Sequence, residues 1–503
     1  MSKILDKRYE FILFIADAVY MILELIASRL LAPFFGTTNL VWTAVIGIIL
    51  LSNSVGNFIG GKIADKKNVE KSLILILITI SILIFIIPLF QTNFLSFLSN
   101  SIKDTKVGAI VSTIILFFLP SMFLGCISPI VIKLKMKDLE HAGKTSGKIY
   151  AIATIGSLVG TFLGGFYLIP HFGCDQLLIL MSIIVMGLAL FVGKISEKKI
   201  IEICIFVFIL ISIVTYIVFL NNSLKEQQRV LSGEEGVKAS FETEYGSVKI
   251  ENLTHNNRDA RLLLINKGNE SADYVDNEDY DIVFPYIKAY DKMFENNTKI
   301  ENVLMIGGAG YSYPKYYIKN YPDKKMDVVE IDDKVTQLAG VYFNLNNLIE
   351  KYNINENNRL RIFSDDGRVY LNKNSIKYDA ILNDSFSGFI PARNMATKEA
   401  VERIHSSLVD GGLYLNNIIG SLKGNDSRFL KSEIKTINQV FKNVYCIPCY
   451  SDYNEYEAKN YMIIASDRDD LVFDDTINIE YDKDDIILTD NYSPVETMEI
   501  IVE

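Results

Sequence analysis

Seven long apolar stretches crowd the first 222 residues, and a chain built this way cannot fold as an ordinary water-soluble protein. They fall at roughly 9–33, 38–61, 72–90, 107–132, 149–169, 175–193 and 200–220, each long enough to cross a bilayer as a helix. The run from Ser72 to Pro88 carries no charge and no polar face, so it cannot lie against a soluble core with one side in water. The first span is too long for a cleaved leader and lacks a small-residue cleavage site followed by polar chain. Within it, Asp17 and Glu24 recur at a spacing that puts them on one helix face, with Arg29 near its end. Intramembrane charges are costly and face a bundle interior or a wet cavity. A buried structural cluster and a substrate-handling role both fit them. Gly156, Gly160 and Gly164 recur every fourth residue, which allows close helix contact.

Composition changes where the last span ends. Residues 1–222 hold 18 Lys and Arg against 12 Asp and Glu, which leaves 32 and 48 of the chain's 50 and 60 for the remainder. An acidic soluble half does not suit nucleic acid, which needs a basic footprint. It suits a cationic small molecule, or simple solubility. The four histidines, His141, His171, His255 and His405, are scattered, so neither a histidine metal site nor a Ser-His-Asp triad has support. Cys446 and Cys449 have redox-motif spacing, but Val444, Tyr445 and Tyr450 around them suit a strand. We therefore expect no metal.

The soluble half reads as a polar linker over 223–240, a small strand lobe with a helix over 241–300, and alternating strands and helices from 301 to 503. Two strands flank the polar turn Thr254 to Arg258, and a helix is expected through Asp281–Phe294. Beyond Val303 the alternation predicts a parallel sheet with crossover helices at about 314–320, 333–347, 396–408 and 427–440, closed by an antiparallel pair. The run Val303 to Ile306 breaks into Gly307-Gly308-Ala309-Gly310, a strand feeding a turn where backbone approaches a ligand. About 20 residues on, a second apolar run ends in Glu330, an acid placed for the two hydroxyls of a ribose. A third strand ends in Asp365-Asp366-Gly367 and a fourth in Asp384. Groups that follow successive parallel strands meet at one sheet edge, which points to a nucleoside-bearing ligand.

Those motifs resemble the spermidine/spermine synthase family, the polyamine aminopropyltransferases, over about residues 242–470. Besides the glycine loop, the matching places are Val329-Glu-Ile-Asp332, Asp365-Asp-Gly367 and Tyr378-Asp-Ala-Ile-Leu-Asn-Asp384. The membrane half resembles the membrane-fused branch of that family at Glu24, Arg29 to Pro33 and Gly164 to Pro170. The resemblance implies a Rossmann-like, methyltransferase-type sheet with a small N-terminal β lobe behind a multi-span α-helical membrane domain. It implies decarboxylated S-adenosylmethionine, or S-adenosylmethionine, as co-substrate, with no permanently bound cofactor. By position, Gly307, Gly308, Gly310, Glu330, Asp365, Asp366 and Gly367 would hold that nucleoside, Glu330 at the ribose and Asp366 with Gly367 near the adenine. Asp384 would accept the proton of the attacking amine, and Tyr286 falls where the family has an active-site tyrosine. The implied partners are a small amine, polyamines among the candidates, the lipid bilayer and a second copy of the chain.

The departures fall at the amine end. Gly310 stands where the family's glycine loop carries an acid, Ser387 replaces the second acid of the Asp384 loop, and Ile287 and Lys288 follow the tyrosine. A glutamine of the first lobe has become Glu270. Plainer roles also exist: a tight turn for the glycines, solvated strand ends for Glu330 and Asp366, a cap for Asp384, a core aromatic for Tyr286. Three functions follow: aminopropyl transfer, methyl transfer from S-adenosylmethionine, or a transporter or sensor that binds without turnover. Lysines in alternate loops put the N-terminus in the cytoplasm, and seven spans would then put the soluble half outside. Its nucleoside ligand is intracellular, and on that ground a cytoplasmic soluble half is expected.

Overall fold

The computed structural model describes residues 2–35, 39–102, 104–136, 141–192, 199–266, 268–276, 278–296, 299–387, 390–451, 454–495 and 498. Two compact units emerge, Met1–Glu226 with Ser240–Ser247, and Gln227–Ala239 with Val248–Glu503.

Among the described residues of the first unit, seven helices are long and apolar enough to cross a membrane. They are Lys7–Phe35, Leu40–Ala64, Val69–Ser101, Thr105–Lys135, Ala142–Leu168, Cys174–Val192 and Phe206–Leu231, the last running past the unit's end. Small residues set the closest approaches. A Cβ on Gly156 would stand 2.3 Å from the Phe14 carbonyl oxygen, and one on Gly160 would stand 2.4 Å from that of Ala18. Gly56 and Gly60 meet the Met122 and Cys126 backbone in the same way. Polar pairs gather at one end, where Glu10 bonds Lys135 at 2.9 Å and Lys148 at 2.7 Å and Arg8 pairs with Glu70. The seventh helix carries no charge from Phe206 to Leu220 and is mostly uncovered, with Phe206, Leu210, Val214 and Val218 exposed. A helix that is apolar on every side suits a membrane span.

The rest of the chain opens with a small sheet of β1 (Lys238–Glu242), β2 (Ser247–His255), β3 (Arg258–Ile265) and β4 (Gly268–Tyr274), paired in that order. The expected hairpin is β2–β3, turned by Asn256 and Asn257 at φ 50° and 59°, the left-handed pair that a two-residue hairpin needs. The polar β4 gave no strand signal and forms through pairing with β3. The segment read as a linker, 223–240, is helix as far as Leu231 and strand from Lys238. In place of an α-helix over 281–294 there is a 3₁₀ helix, Pro285–Phe294. Pro285 holds Phe284 extended and so delays the start.

The main sheet runs β12-β13-β11-β8-β5-β6-β7. Its strands are β5 (Asn302–Ile306), β6 (Lys325–Glu330), β7 (Leu360–Ser364), β8 (Tyr378–Asn383), β11 (Leu408–Gly420), β12 (Asn443–Pro448) and β13 (Lys459–Ser466), while β9 (Phe386–Ser387) and β10 (Ile390–Pro391) form a separate short pair. The five strands from β5 to β11 are mutually parallel. The sequence suggests an antiparallel pair at the close. Instead β13 alone runs antiparallel, wedged between β11 and β12. The helix Arg428–Ile437 carries the chain one place past β11, and the short link after β12 brings β13 back into the gap. The crossover helices appear at Ser312–Asn320, Asp333–Tyr342, Lys398–Ser407 and Arg428–Ile437. Left-handed Asn344 (φ 58°) ends the second of these early and starts another, Leu345–Lys351.

Candidate active site

Strand order reverses at β5, which has β6 on one side and β8 on the other. A sheet of this kind binds ligands in the crevice outside the carboxyl ends of those strands. At that point β5 gives way to Gly307, whose φ of +94° excludes other residues without strain. A Cβ there would also lie 2.3 Å from the carbonyl oxygen of Asp384, so the glycine lets the two loops touch. The Asp384 N–H donates to the Ile306 carbonyl at 2.8 Å, which fixes the loop after β8 beside the loop after β5.

Glu330, at the end of β6, is buried and organises the glycine loop. One carboxylate oxygen accepts from the N–H groups of Gly308 (2.8 Å) and Ala309 (2.9 Å), the other from that of Asp332 (3.0 Å). Burial raises its pKa above the ordinary carboxylate value, and the three N–H groups hold that rise back. A carboxylate has about four acceptor sites, so one remains for a ribose hydroxyl. After β7, Asp365 takes the Asp366 N–H at 2.9 Å. Asp366 caps the helix Gly367–Lys373 through the N–H groups of Arg368 and Val369 at 2.8 and 3.0 Å, and its second oxygen accepts from Asn394 at 2.9 Å. Gly367 begins that helix against Ile306.

The far wall of the glycine loop is the small lobe. A Cβ on Gly310 would fall 2.5 Å from Ser271 Oγ on β4, so this place has no room for an acidic side chain as things stand. Lys315, fully buried, donates to Asp273 of β4 at 2.6 Å, to the Gly310 carbonyl at 2.9 Å and to the Phe343 carbonyl. This buried pair ties the loop to the lobe.

Asp384 has a half-buried carboxyl that accepts from Asn417 Nδ2 at 2.8 Å, and the neighbouring Tyr290 hydroxyl donates to the Asn383 carbonyl at 3.2 Å. Asn460 Nδ2 donates to Asn417 Oδ1 at 3.0 Å, which locks the amide that faces the acid. Burial pushes the Asp384 carboxyl up to about 6. Tyr286 sits beside it: burial, then the negative charges of Asp384 and Glu270, push its phenol well above the usual value. Burial, and then Asp384, push the Cys449 thiol up to about 12, so it is no thiolate nucleophile at neutral pH. Behind this cluster, Asn383 donates to Asn416 at 2.9 Å and Asn416 to Glu433 at 2.6 Å, where burial raises the acid to about 8. Ser387 lies in β9; Gly388 and Phe389, which follow it, fall outside the described residues.

The structure therefore brings Gly307, Gly308, Gly310, Glu330 and Asp384 to one edge of the sheet, with Tyr286 near Asp384 and with Asp365, Asp366 and Gly367 at the end of the strand beside Glu330. Sequence reasoning missed Tyr290, Asn417, Asn460 and Glu433. A signal existed for one of them: Asn416-Asn417 interrupts an apolar strand, and buried amides need partners.

The order 7-6-5-8-11-13-12, with one antiparallel strand, defines a methyltransferase-type α/β domain that binds at its switch point. Residues 289–470 match the domain model of the spermine/spermidine synthase family. Among curated relatives, the polyamine aminopropyltransferase of Vibrio vulnificus is 30% identical over 179 residues, 35% of this chain and 55% of that one. That of Clostridium beijerinckii is 27% identical over 145 residues, 29% and 49% of the two chains. The chain thus spans about half the length of the curated relatives it matches. A crystal structure of a probable spermidine synthase from Corynebacterium glutamicum aligns with a TM-score of 0.38 and 25% identity, over 46% of this chain and 80% of the other.

Proposed function

We propose that the soluble half is an aminopropyltransferase that moves the aminopropyl group of decarboxylated S-adenosylmethionine onto an amine of the polyamine class. Asp384 carries this reading: a half-buried acid that accepts from Asn417 at the switch point, beside a loop suited to a nucleoside, with a raised pKa that suits proton transfer near neutrality. Glu330 would bind the ribose through its remaining acceptor site, and Asp365, Asp366 and Gly367 would flank the adenine. The amine nitrogen attacks the carbon beside the sulfonium, the carbon–sulfur bond breaks, and methylthioadenosine leaves with the electron pair. The proton lost by the amine passes to Asp384, while Tyr286 and Tyr290 wall the path of attack. Names of the curated relatives support the reading.

A second reading, methyl transfer from S-adenosylmethionine, is favoured by Gly310. Its contact with Ser271 leaves no place for the acid that would grip a donor's propylammonium. One assay separates the readings. Purified protein is given each donor with a panel of amines, and the nucleoside product is identified. Methylthioadenosine supports aminopropyl transfer, S-adenosylhomocysteine supports methyl transfer, and neither product indicates a binder without turnover.

We further propose that residues 1–222 anchor the enzyme in the cell membrane and that lobe 241–300 and domain 301–503 work in the cytoplasm, beside the donor. This requires one of the seven apolar helices to lie along the interface, because lysine-rich alternate loops favour an N-terminus on the cytoplasmic side. A reporter fused after Glu503 tests it: activity of an exterior-only reporter would overturn the cytoplasmic placement.

A further inference from the structure

We propose that the membrane unit holds its own binding site for a small protonated amine, with Asp17 as the counter-ion. Four helices leave a cavity of about 170 Å³ within the first unit. Its polar lining includes Asp17 and Tyr20 on the first helix, Asn53 and Asn57 on the second, Ser128 on the fourth and Tyr150, Thr154 and Ser157 on the fifth. Asp17 Oδ2 is buried and has no hydrogen-bond partner, and among the described residues no lysine or arginine pairs with this acid. Lys135 and Lys148 of the same bundle are taken by Glu10. An intramembrane carboxylate left without a partner marks a ligand or ion site by default.

The donors of the lining tell which ligand. The Tyr20 hydroxyl donates to the Ile49 carbonyl at 3.1 Å, that of Thr154 to the Tyr150 carbonyl at 2.9 Å, and Asn57 Nδ2 to Asn53 at 3.0 and 3.2 Å. With these three donors spent within the bundle, Asp17 is the one charged group of the lining, and its carboxylate faces the cavity with amide and hydroxyl oxygens and aromatic rings around it. A carboxylate of this kind needs a positively charged, hydrogen-bond-donating ligand. A primary ammonium supplies three N–H groups and a positive charge, and tyrosine rings attract the same charge. The volume argues against a bare metal ion, which needs its oxygens drawn in around it. A cavity of about 150 Å³ accepts benzene, so this one has room for about six non-hydrogen atoms, the size of a four-carbon diamine. Ala16, Leu124 and Ala153 provide an apolar wall for the carbon chain. The site lies wholly within the membrane unit and does not depend on the reaction proposed for the soluble half.

The test uses full-length protein in lipid nanodiscs. Dicyclohexylcarbodiimide modifies carboxyls within the bilayer, and mass spectrometry locates the adduct on Asp17. Saturating 1,4-diaminobutane should slow that modification at least tenfold, sodium chloride at the same concentration should not, and the Asp384→Asn variant should show the same protection. In equilibrium dialysis of labelled 1,4-diaminobutane, Asp17→Asn should lose one saturable class of sites. Protection by sodium alone would replace the amine with a metal ion and overturn the proposal. Equal labelling with and without diamine would make Asp17 a structural carboxyl and end it. Protection lost in Asp384→Asn would assign the effect to the soluble half and also refute it.

Discussion

Asp384→Asn separates catalysis from stability in opposite directions. The carboxyl titrates near 6 in the fold against an ordinary 3.8, so ionising it in place is harder than in the unfolded chain. A difference of about two pH units at 1.36 kcal/mol each makes the ionised acid cost the fold up to about 3 kcal/mol. For an acid with a raised pKa this loss sets in as pH rises from about 3.8 to about 6 and is complete above that range. Asparagine is isosteric, its carbonyl can keep the 2.8 Å bond from Asn417, and it never ionises. At pH 7.5 the variant should therefore unfold at a higher temperature than the wild type, and the gain should shrink as pH is lowered toward 4. Turnover should meanwhile fall about 10²–10⁴-fold, the usual contribution of a general base, with methylthioadenosine binding retained. In the wild type, kcat/KM should fall below about pH 6 as Asp384 takes up its proton. Thermal unfolding in detergent and single-turnover assays with decarboxylated donor measure both effects. A variant that turns over at the wild-type rate, or unfolds earlier at pH 7.5, would show that Asp384 is a structural cap.

Glu330→Ala removes the acceptor for three buried or half-buried N–H groups as well as a ribose contact. Titration calorimetry should show methylthioadenosine affinity reduced more than tenfold, with Glu330→Gln intermediate because it keeps one carbonyl; equal affinity in all three would remove Glu330 from the site. Asp273→Asn leaves the Lys315 ammonium buried with only carbonyl partners. The cost should approach about 3–5 kcal/mol in denaturant unfolding followed in the soluble half, and a loss under about 1 kcal/mol would mean that Lys315 is neutral there. Gly160→Leu should break the contact of the fifth helix with the first, since even a Cβ would stand 2.4 Å from the Ala18 carbonyl oxygen. Size-exclusion profiles in detergent should change from a single peak to aggregate, while Gly187→Leu, which meets nothing within 4 Å, should elute like the wild type.

Much of this protein was legible residue by residue, because the physics that decides it is local. Apolar runs of spanning length fold as long helices, so the seven helices follow from hydropathy alone, whereas the last of them runs on to Leu231, past the change of composition near residue 222. Glycines after a strand and acids after the next three strands mark one edge of a parallel sheet, and the structure lays Gly307, Glu330, Asp366 and Asp384 along that edge. What the tertiary structure decided depends on partners far away in the chain. The sequence shows an acid at 330, but only the fold turns it onto the N–H groups of Gly308 and Ala309. It shows Asn416-Asn417, but only pairing of β11 with β8 and β13 aims one amide at Asp384 and the other at Glu433. The polar β4 is a strand because β3 offers it hydrogen bonds, and Gly310 cannot be an acid because β4 lies against it. Asp17 shows the same division. A charge in an apolar helix is plain in the sequence, whereas its unshared oxygen beside a polar-lined cavity exists only where four helices meet.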